Sequence, residues 1–206
     1  MNATPDTRDA LLDHAVNLFA EKGFKGTTVR SIAAAAGANL GAVTYHFGSK
    51  RALYDAVIEH VTAPIRERLA RDVTPDDPLD GIEAYLRATF AFFHERPQVP
   101  RLILQQLVMG GALPPAAQRT IQMNIERIAG LIEAGQRTGS IRPGPARLMA
   151  FSVVGQPVFL AIYRRAFQES DILDQDDAIL RRDLVDCVVA FVRAGLQVSG
   201  PRRASP

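Results

Sequence analysis

A single cysteine, no tryptophan and almost no net charge mark this 206-residue chain. One thiol, Cys187, cannot close an intramolecular disulfide. The opening MNATPDTRDA lacks the apolar stretch of a secretory signal, so a reducing, cytoplasmic setting is expected. The longest stretch without a charge is 17 residues, Leu102 to Gln118, and it is interrupted by Gly110, Gly111, Pro114 and Pro115. A spanning helix needs roughly 20 apolar residues, so no membrane segment is expected. Catalytic signatures are missing as well. The histidines His14, His46, His60 and His94 have neither H-x-x-x-H nor H-E-x-x-H spacing, and Cys187 has no second ligand at metal-binding distance. Neither a phosphate-cradling glycine loop nor a G-x-S-x-G nucleophile turn occurs. No catalytic residue, metal or cofactor is therefore expected. With 24 basic against 22 acidic residues, the net charge of +2 taken alone argues against a nucleic-acid partner.

What is present is helix. Hydrophobic residues make up 47% of the chain, enough for a sizeable core, and they recur at three- and four-residue spacing rather than alternating. The expected fold class is all-α, with about nine helices. Thr4 as N-cap, Pro5 and Asp6 open the first helix; Leu11, Leu12, Ala15, Leu18 and Phe19 form its buried face, and Gly23 stops it. Short units follow from Thr28 to Ala36 and from Asn39 to Phe47, closed by Gly37 and Gly48, before Ser49 caps a fourth helix. Longer helices are expected near Leu79 to Glu95, Gln98 to Val108, Ala116 to Arg137, Ala146 to Gln168 and Ala178 to Val198. The division this suggests is a reading domain over 1–62 that includes the linking fourth helix, a larger helical domain over 63–198, and a disordered polar tail over 199–206.

The chemistry concentrates in Gly23 to Lys50, GFKGTTVRSIAAAAGANLGAVTYHFGSK. Val29, Ile32, Ala33 and Ala36 give one apolar face, and Leu40, Val43 and Phe47 give the next helix its own buried stripe. Two short helices joined by a tight glycine turn form a helix-turn-helix, whose second helix enters the DNA major groove. Outward on that second helix stand Asn39, Gly41, Ala42, Thr44, Tyr45 and His46, a set free of acid and suited to base edges and phosphates. Charge by position agrees. Residues 1–21 carry −3, residues 22–54 carry +5 with no acid at all, and the remainder is neutral. The small total thus conceals a basic patch. Lys22 and Lys25 add diffuse attraction, and Arg51 reads as a partner of Asp55 one helical turn on rather than as a contact.

The segment GFKGTTVRSIAAAAGANLGAVTYHFGSKRALYDAV resembles the DNA-binding segment of the TetR family of bacterial transcriptional regulators. The resemblance rests on the G-F after helix one, the T-T opening helix two, the Y-H-F ending of helix three and the G-S-K before helix four. Downstream, the layout and the phrase FSVVGQ resemble a CecR-type ligand domain. By this resemblance Thr28, Arg30, Leu40, Gly41, Thr44, Tyr45, His46 and Lys50 occupy positions that face DNA. Thr28 caps helix two and offers its amide end to a phosphate, and Arg30 reaches a phosphate or a guanine. Tyr45, His46 and Lys50 meet the backbone. Asn39 caps helix three, with an adenine contact as the alternative. Gly41 costs about 1 kcal/mol of helix propensity, and close approach to DNA would explain it.

The remaining helices are read for pairing and sensing. The segments 146–168 and 178–198 carry more apolar surface than one side of a core requires, through Leu148, Phe151, Val154, Phe159 and Ile162 on the first and Ile179, Leu184, Val188, Phe191, Val192 and Leu196 on the second, which suggests a homodimer built from both pairs. Tyr85, Phe93, Gln105, Met109, Met123, Gln156, Phe159 and Tyr163 are candidates for a cavity that takes a small-molecule effector, set against the plainer reading of the same residues as core. Cys187 reads as a buried small hydrophobe. The expected function is a ligand-responsive repressor on a double-stranded, pseudo-palindromic operator. The alternatives are a helical ligand-binding or interaction protein that does not read DNA, and an activator.

Overall fold

The computed structural model describes the backbone over 7–72, 77–108, 113–168 and 177–198, and the side chains over 7–71, 77–105, 113–161 and 182–198. The expected cap at Thr4 and the tail 199–206 lie outside the described residues. Within them the chain forms nine helices: α1 (Thr7–Gly26), α2 (Val29–Ala35), α3 (Leu40–Phe47), α4 (Lys50–Asp72), α5 (Pro78–Glu95), α6 (Gln98–Val108), α7 (Pro115–Thr138), α8 (Ala146–Gln168) and α9 (Asp177–Leu196). The only β-type pairing among the described residues is an isolated bridge between Ile141 and Gln197, so the fold is all-α. No helix among the described residues is long and apolar enough to cross a membrane.

Two compact units divide the chain. The first comprises residues 1–66 and 96–120, the second 67–95 and 121–206, so the division falls inside α4 and inside α7. Packing therefore adds α6 and the first turn of α7 to the N-terminal helices, a grouping that chain order does not suggest. In the first unit, Leu11, Leu12, Phe19, Ile32, Val43, Leu53, Val57 and Leu102 are buried. Phe19 meets Tyr54 edge-on at 4.9 Å between ring centres, and Phe24 meets the same tyrosine at 5.2 Å. α1 packs on α2, α3 and α6. A polar cluster ties α4 to the start of α7. Arg66 donates to the hydroxyls of Thr62 and Thr120, each at 3.1 Å, and to one Glu59 oxygen, while Arg119 donates to the other Glu59 oxygen at 3.0 Å.

In the second unit, α5 packs against α8 and α9 through Ile82, Tyr85, Leu86, Phe92, Val153, Val154, Val188 and Val192. Charges clamp α5 to α9 along the edge of this contact. Arg193 lies 2.8 Å from Asp80 and 3.2 Å from Glu83, and Arg87 lies 2.7 Å from Asp186. Cys187 is exposed, contrary to the expectation of a core position. The apolar run around it is not all turned inward: Val188, Val189 and Val192 take the buried side of α9, which leaves Cys187 and Phe191 outside. Gly135 in α7 meets a steric need, because a Cβ there would stand 2.5 Å from Cγ1 of the buried Ile141.

Two outcomes follow. Gly135→Ala forces Ile141 out of its seat and should cost about 1–3 kcal/mol, read as a lowered thermal midpoint. The Glu59 carboxyl is the second case. Burial acts to raise its pKa, but the hydrogen bonds and charges of Arg66 and Arg119 outweigh it and hold the group below its ordinary value of about 4.5. A pKa depressed by folding stabilises above the unfolded value and ceases to do so as pH falls through the folded one. Glu59→Gln should accordingly be less stable than the parent at neutral pH and converge with it in acid, as urea unfolding at stepped pH would record.

Candidate nucleic-acid interface

The candidate interface is built from the end of α1, from α2 and from α3. Gly23 leaves helical geometry at φ 69° and ψ 175°, as expected of the stop residue, but helix resumes through Gly26 instead of ending there. Thr27 follows, fully buried, and its hydroxyl donates to the carbonyls of Leu18 at 3.0 Å and Gly23 at 2.8 Å. The one hydroxyl proton is shared between two carbonyls on either side of the break, which ties the start of α2 to α1. Thr28 then caps α2 as expected, and a reciprocal partner completes the cap. The Ser31 amide donates to the Thr28 hydroxyl oxygen at 3.0 Å, and the Thr28 amide donates to the Ser31 hydroxyl oxygen at 3.2 Å. Thr27 and Ser31 were missed as functional residues. The T-x-x-S spacing was a legible signal for Ser31, whereas the partners of Thr27 are set by the fold.

Asn39 caps α3, accepting from the Ala42 amide at 2.8 Å. A Cβ on Gly41 would lie 3.2 Å from that capping oxygen, so room for the cap is a second reason for glycine here. Val43 is buried and seats the helix, while Thr28, Arg30, Asn39, Gly41, Thr44 and Tyr45 are exposed and His46 is half-buried. Leu40 corrects the expected buried stripe. At the first turn of α3 it is 53% exposed, whereas Val43, three residues on, is buried. Tyr45 is 86% exposed, with its ring edge-on to His46 at 5.0 Å. The Lys50 ammonium rests 4.4 Å from the centre of the Phe24 ring, and the Arg8 guanidinium 5.6 Å from that of Phe47. Such cation–π seating orients a long side chain. Arg51 pairs with Asp55 at 3.2 Å, as expected.

An exposed, acid-free helix presented by a tight turn and fixed by side-chain caps is a helix-turn-helix reading head. Residues 11–57 match the family described as bacterial regulatory proteins, tetR family. Residues 11–57 thus form a TetR-type segment. TetR-family proteins are transcriptional regulators rather than enzymes. The chain is 28% identical over 142 residues to the transcriptional repressor NicS of Pseudomonas putida, an alignment that covers 66% of each protein. It is also 28% identical over 154 residues to the transcriptional regulator RutR of Escherichia coli, which covers 71% of this chain and 69% of that one. The chain thus spans about two thirds of these relatives' lengths. A bacterial regulatory protein of the tetR family from Rhodococcus shares the fold with a TM-score of 0.78 at 18% identity, over 96% of this chain and 100% of that one.

The expected effector residues are not all brought together. Tyr85 and Phe93 are buried on α5, where burial also raises the Tyr85 phenol above its ordinary pKa, and Gln156 is half-buried on α8. Gln105 lies in the first unit, its side-chain amide donating to the Ala20 carbonyl at 2.9 Å. Met123 and Phe159 correct the reading, being 50% and 51% exposed. Phe159 falls eight residues after Phe151 on the outer face of α8, and Met123 faces away from the buried side that holds Ile128 and Ile132. Met109 and the Tyr163 side chain lie outside the described residues.

For this TetR-family reading head the decisive test is Thr27. Thr27→Val keeps the shape but removes the hydroxyl that the Leu18 and Gly23 carbonyls share, a loss of about 1–3 kcal/mol. It should lower both the thermal midpoint and the affinity for DNA, whereas Thr27→Ser should restore both.

Proposed function

We propose that the protein is a repressor that binds a pseudo-palindromic operator as a homodimer and leaves it when a small molecule binds. The observation that carries the DNA reading is the exposed surface of α3 and the α2 N-terminus. It offers hydroxyl, amide, imidazole and guanidinium groups with no carboxylate, within a stretch of net charge +5. Arg30 and Asn39 suit base edges, and the capped amides of α2 with Tyr45, His46 and Lys50 suit phosphates.

Pairing is supported by the outer faces of α8 and α9. Leu148, Phe151, Phe159 and Phe191 are each more than half exposed. Between them, Gly155 and Gly195 have no atom within 4 Å of where a Cβ would stand, so neither is required by a neighbour in the same chain. Apolar faces of this kind fit a second copy of the chain, and a two-fold pair places two recognition helices on two half-sites. For the effector, the second unit offers Tyr85, Phe93 and Gln156. A ligand that favours one dimer geometry over another would change the spacing of the two heads, and so the fit to the operator.

Fluorescence anisotropy on DNA from upstream of the gene tests the reading. The wild type should bind with an affinity that falls steeply with salt. Arg30→Ala should weaken binding by about 1–3 kcal/mol if it reads a base, and Phe151→Asp should abolish both the dimer and tight operator binding. Salt-independent binding, or a stable monomer of the wild type at micromolar concentration, would refute it.

A further inference from the structure

The break in α1 has a second support that comes from far along the sequence. Ala20 lies in the last turn before Gly23, where backbone carbonyls run short of amide donors. The Gln105 side chain reaches it from α6, with Nε2 at 2.9 Å from the Ala20 oxygen. Because that partner can only accept, the amide must present its nitrogen there. Its oxygen then faces the kink. Oε1 lies 3.8 Å from where a Gly23 Cβ would stand, and it is buried without a hydrogen-bond partner. A buried amide oxygen left unsatisfied is costly, and this arrangement keeps it so in order to cap Ala20.

Geometry links this contact to the DNA surface step by step. Gln105 holds Ala20; three residues on, the chain turns out of the helix at Gly23, and Thr27 grips the Leu18 and Gly23 carbonyls. Thr28 begins the cap of α2, and α2 packs on α3. We propose that Gln105 is a positioning residue for DNA reading: by capping the Ala20 carbonyl it holds the broken end of α1, and through it the start of α2, in the geometry that operator recognition requires. The inference rests on the proposed DNA-binding function. It makes α6, through Gln105, a working part of the reading head. A binding constellation loses function when its supporting shell lets it drift by more than about 0.5 Å, so a modest loosening at Ala20 is enough.

Gln105→Met keeps the length and approximate volume of the side chain and removes the donor; Gln105→Glu keeps the shape and replaces the donor with a carboxylate. Each full-length variant is compared with the wild type in three measurements: thermal unfolding, amide hydrogen exchange over residues 20–31, and affinity for operator DNA against random-sequence DNA of equal length. Expected of both are faster exchange around the α1 break and about tenfold weaker operator binding; for Gln105→Met, which changes no charge, affinity for random DNA should be unchanged. A merely structural loss lowers both affinities together, by the folded fraction, and that result overturns the proposal. Unchanged exchange overturns it, as does unchanged operator affinity, and in both cases the DNA-binding function stands. If both variants are unfolded at 25 °C the residue serves global stability and the proposal fails. If the wild type itself shows no preference for operator DNA, the functional reading fails and the inference with it.

Discussion

The reading head depends on how one helix ends. α1 breaks at Gly23, and a helix break inside a packed core is tolerable only if the carbonyls it orphans find donors. Thr27 brings its hydroxyl within reach of two carbonyls flanking the break, and Gln105 brings an amide to that of Ala20. From that repair the rest follows in order. The buried Thr27 fixes the chain, Thr28 and Ser31 close the capping box, α2 takes its direction, and α3 is laid across α2 with Val43 inward and Tyr45 outward. The aromatic trio of Phe19, Phe24 and Tyr54 packs beside the break and resists its collapse.

Charge is distributed to match. Away from the head, carboxylates and guanidinium groups are engaged with one another: Glu59 with Arg66 and Arg119, Arg68 with Glu95, and Arg87 and Arg193 with the acids of α5 and α9. Exposed pairs of this type contribute little to stability individually. Their consequence here is electrostatic: they neutralise the body and leave the stretch 22–54 as the chain's concentrated positive region. A nearly neutral chain can in this way carry a local field strong enough to steer toward a polyanion.

Most of the helix layout was legible in the sequence because its signals are local. Gly37 and Gly48 sit in the left-handed region, Asn39 and Ser49 cap the helices that follow them, and the boundaries of α5 and α6 lie within a residue of the sequence expectation. The reading failed where a face had to be chosen among several apolar options. Cys187, Phe159 and Met123 each lie in apolar or mixed stretches whose periodicity allows more than one inward side. Burial was decided by the neighbouring helices, which took Val188 and Val192 on α9 and Val153 and Val154 on α8.

The sequence by itself determined the class of fold, the capped turn between α2 and α3, and the acid-free composition of the surface that α3 presents. Each depends on residues within a few positions of one another, where backbone geometry leaves little choice. Tertiary structure alone decided that α6 belongs with the N-terminal helices, that Gln105 spends its amide on the Ala20 carbonyl, and that Leu148, Phe151, Phe159 and Phe191 remain uncovered in the single chain. The physical reason is range. A carbonyl orphaned at residue 20 carries no mark in the sequence of the donor that will reach it from residue 105.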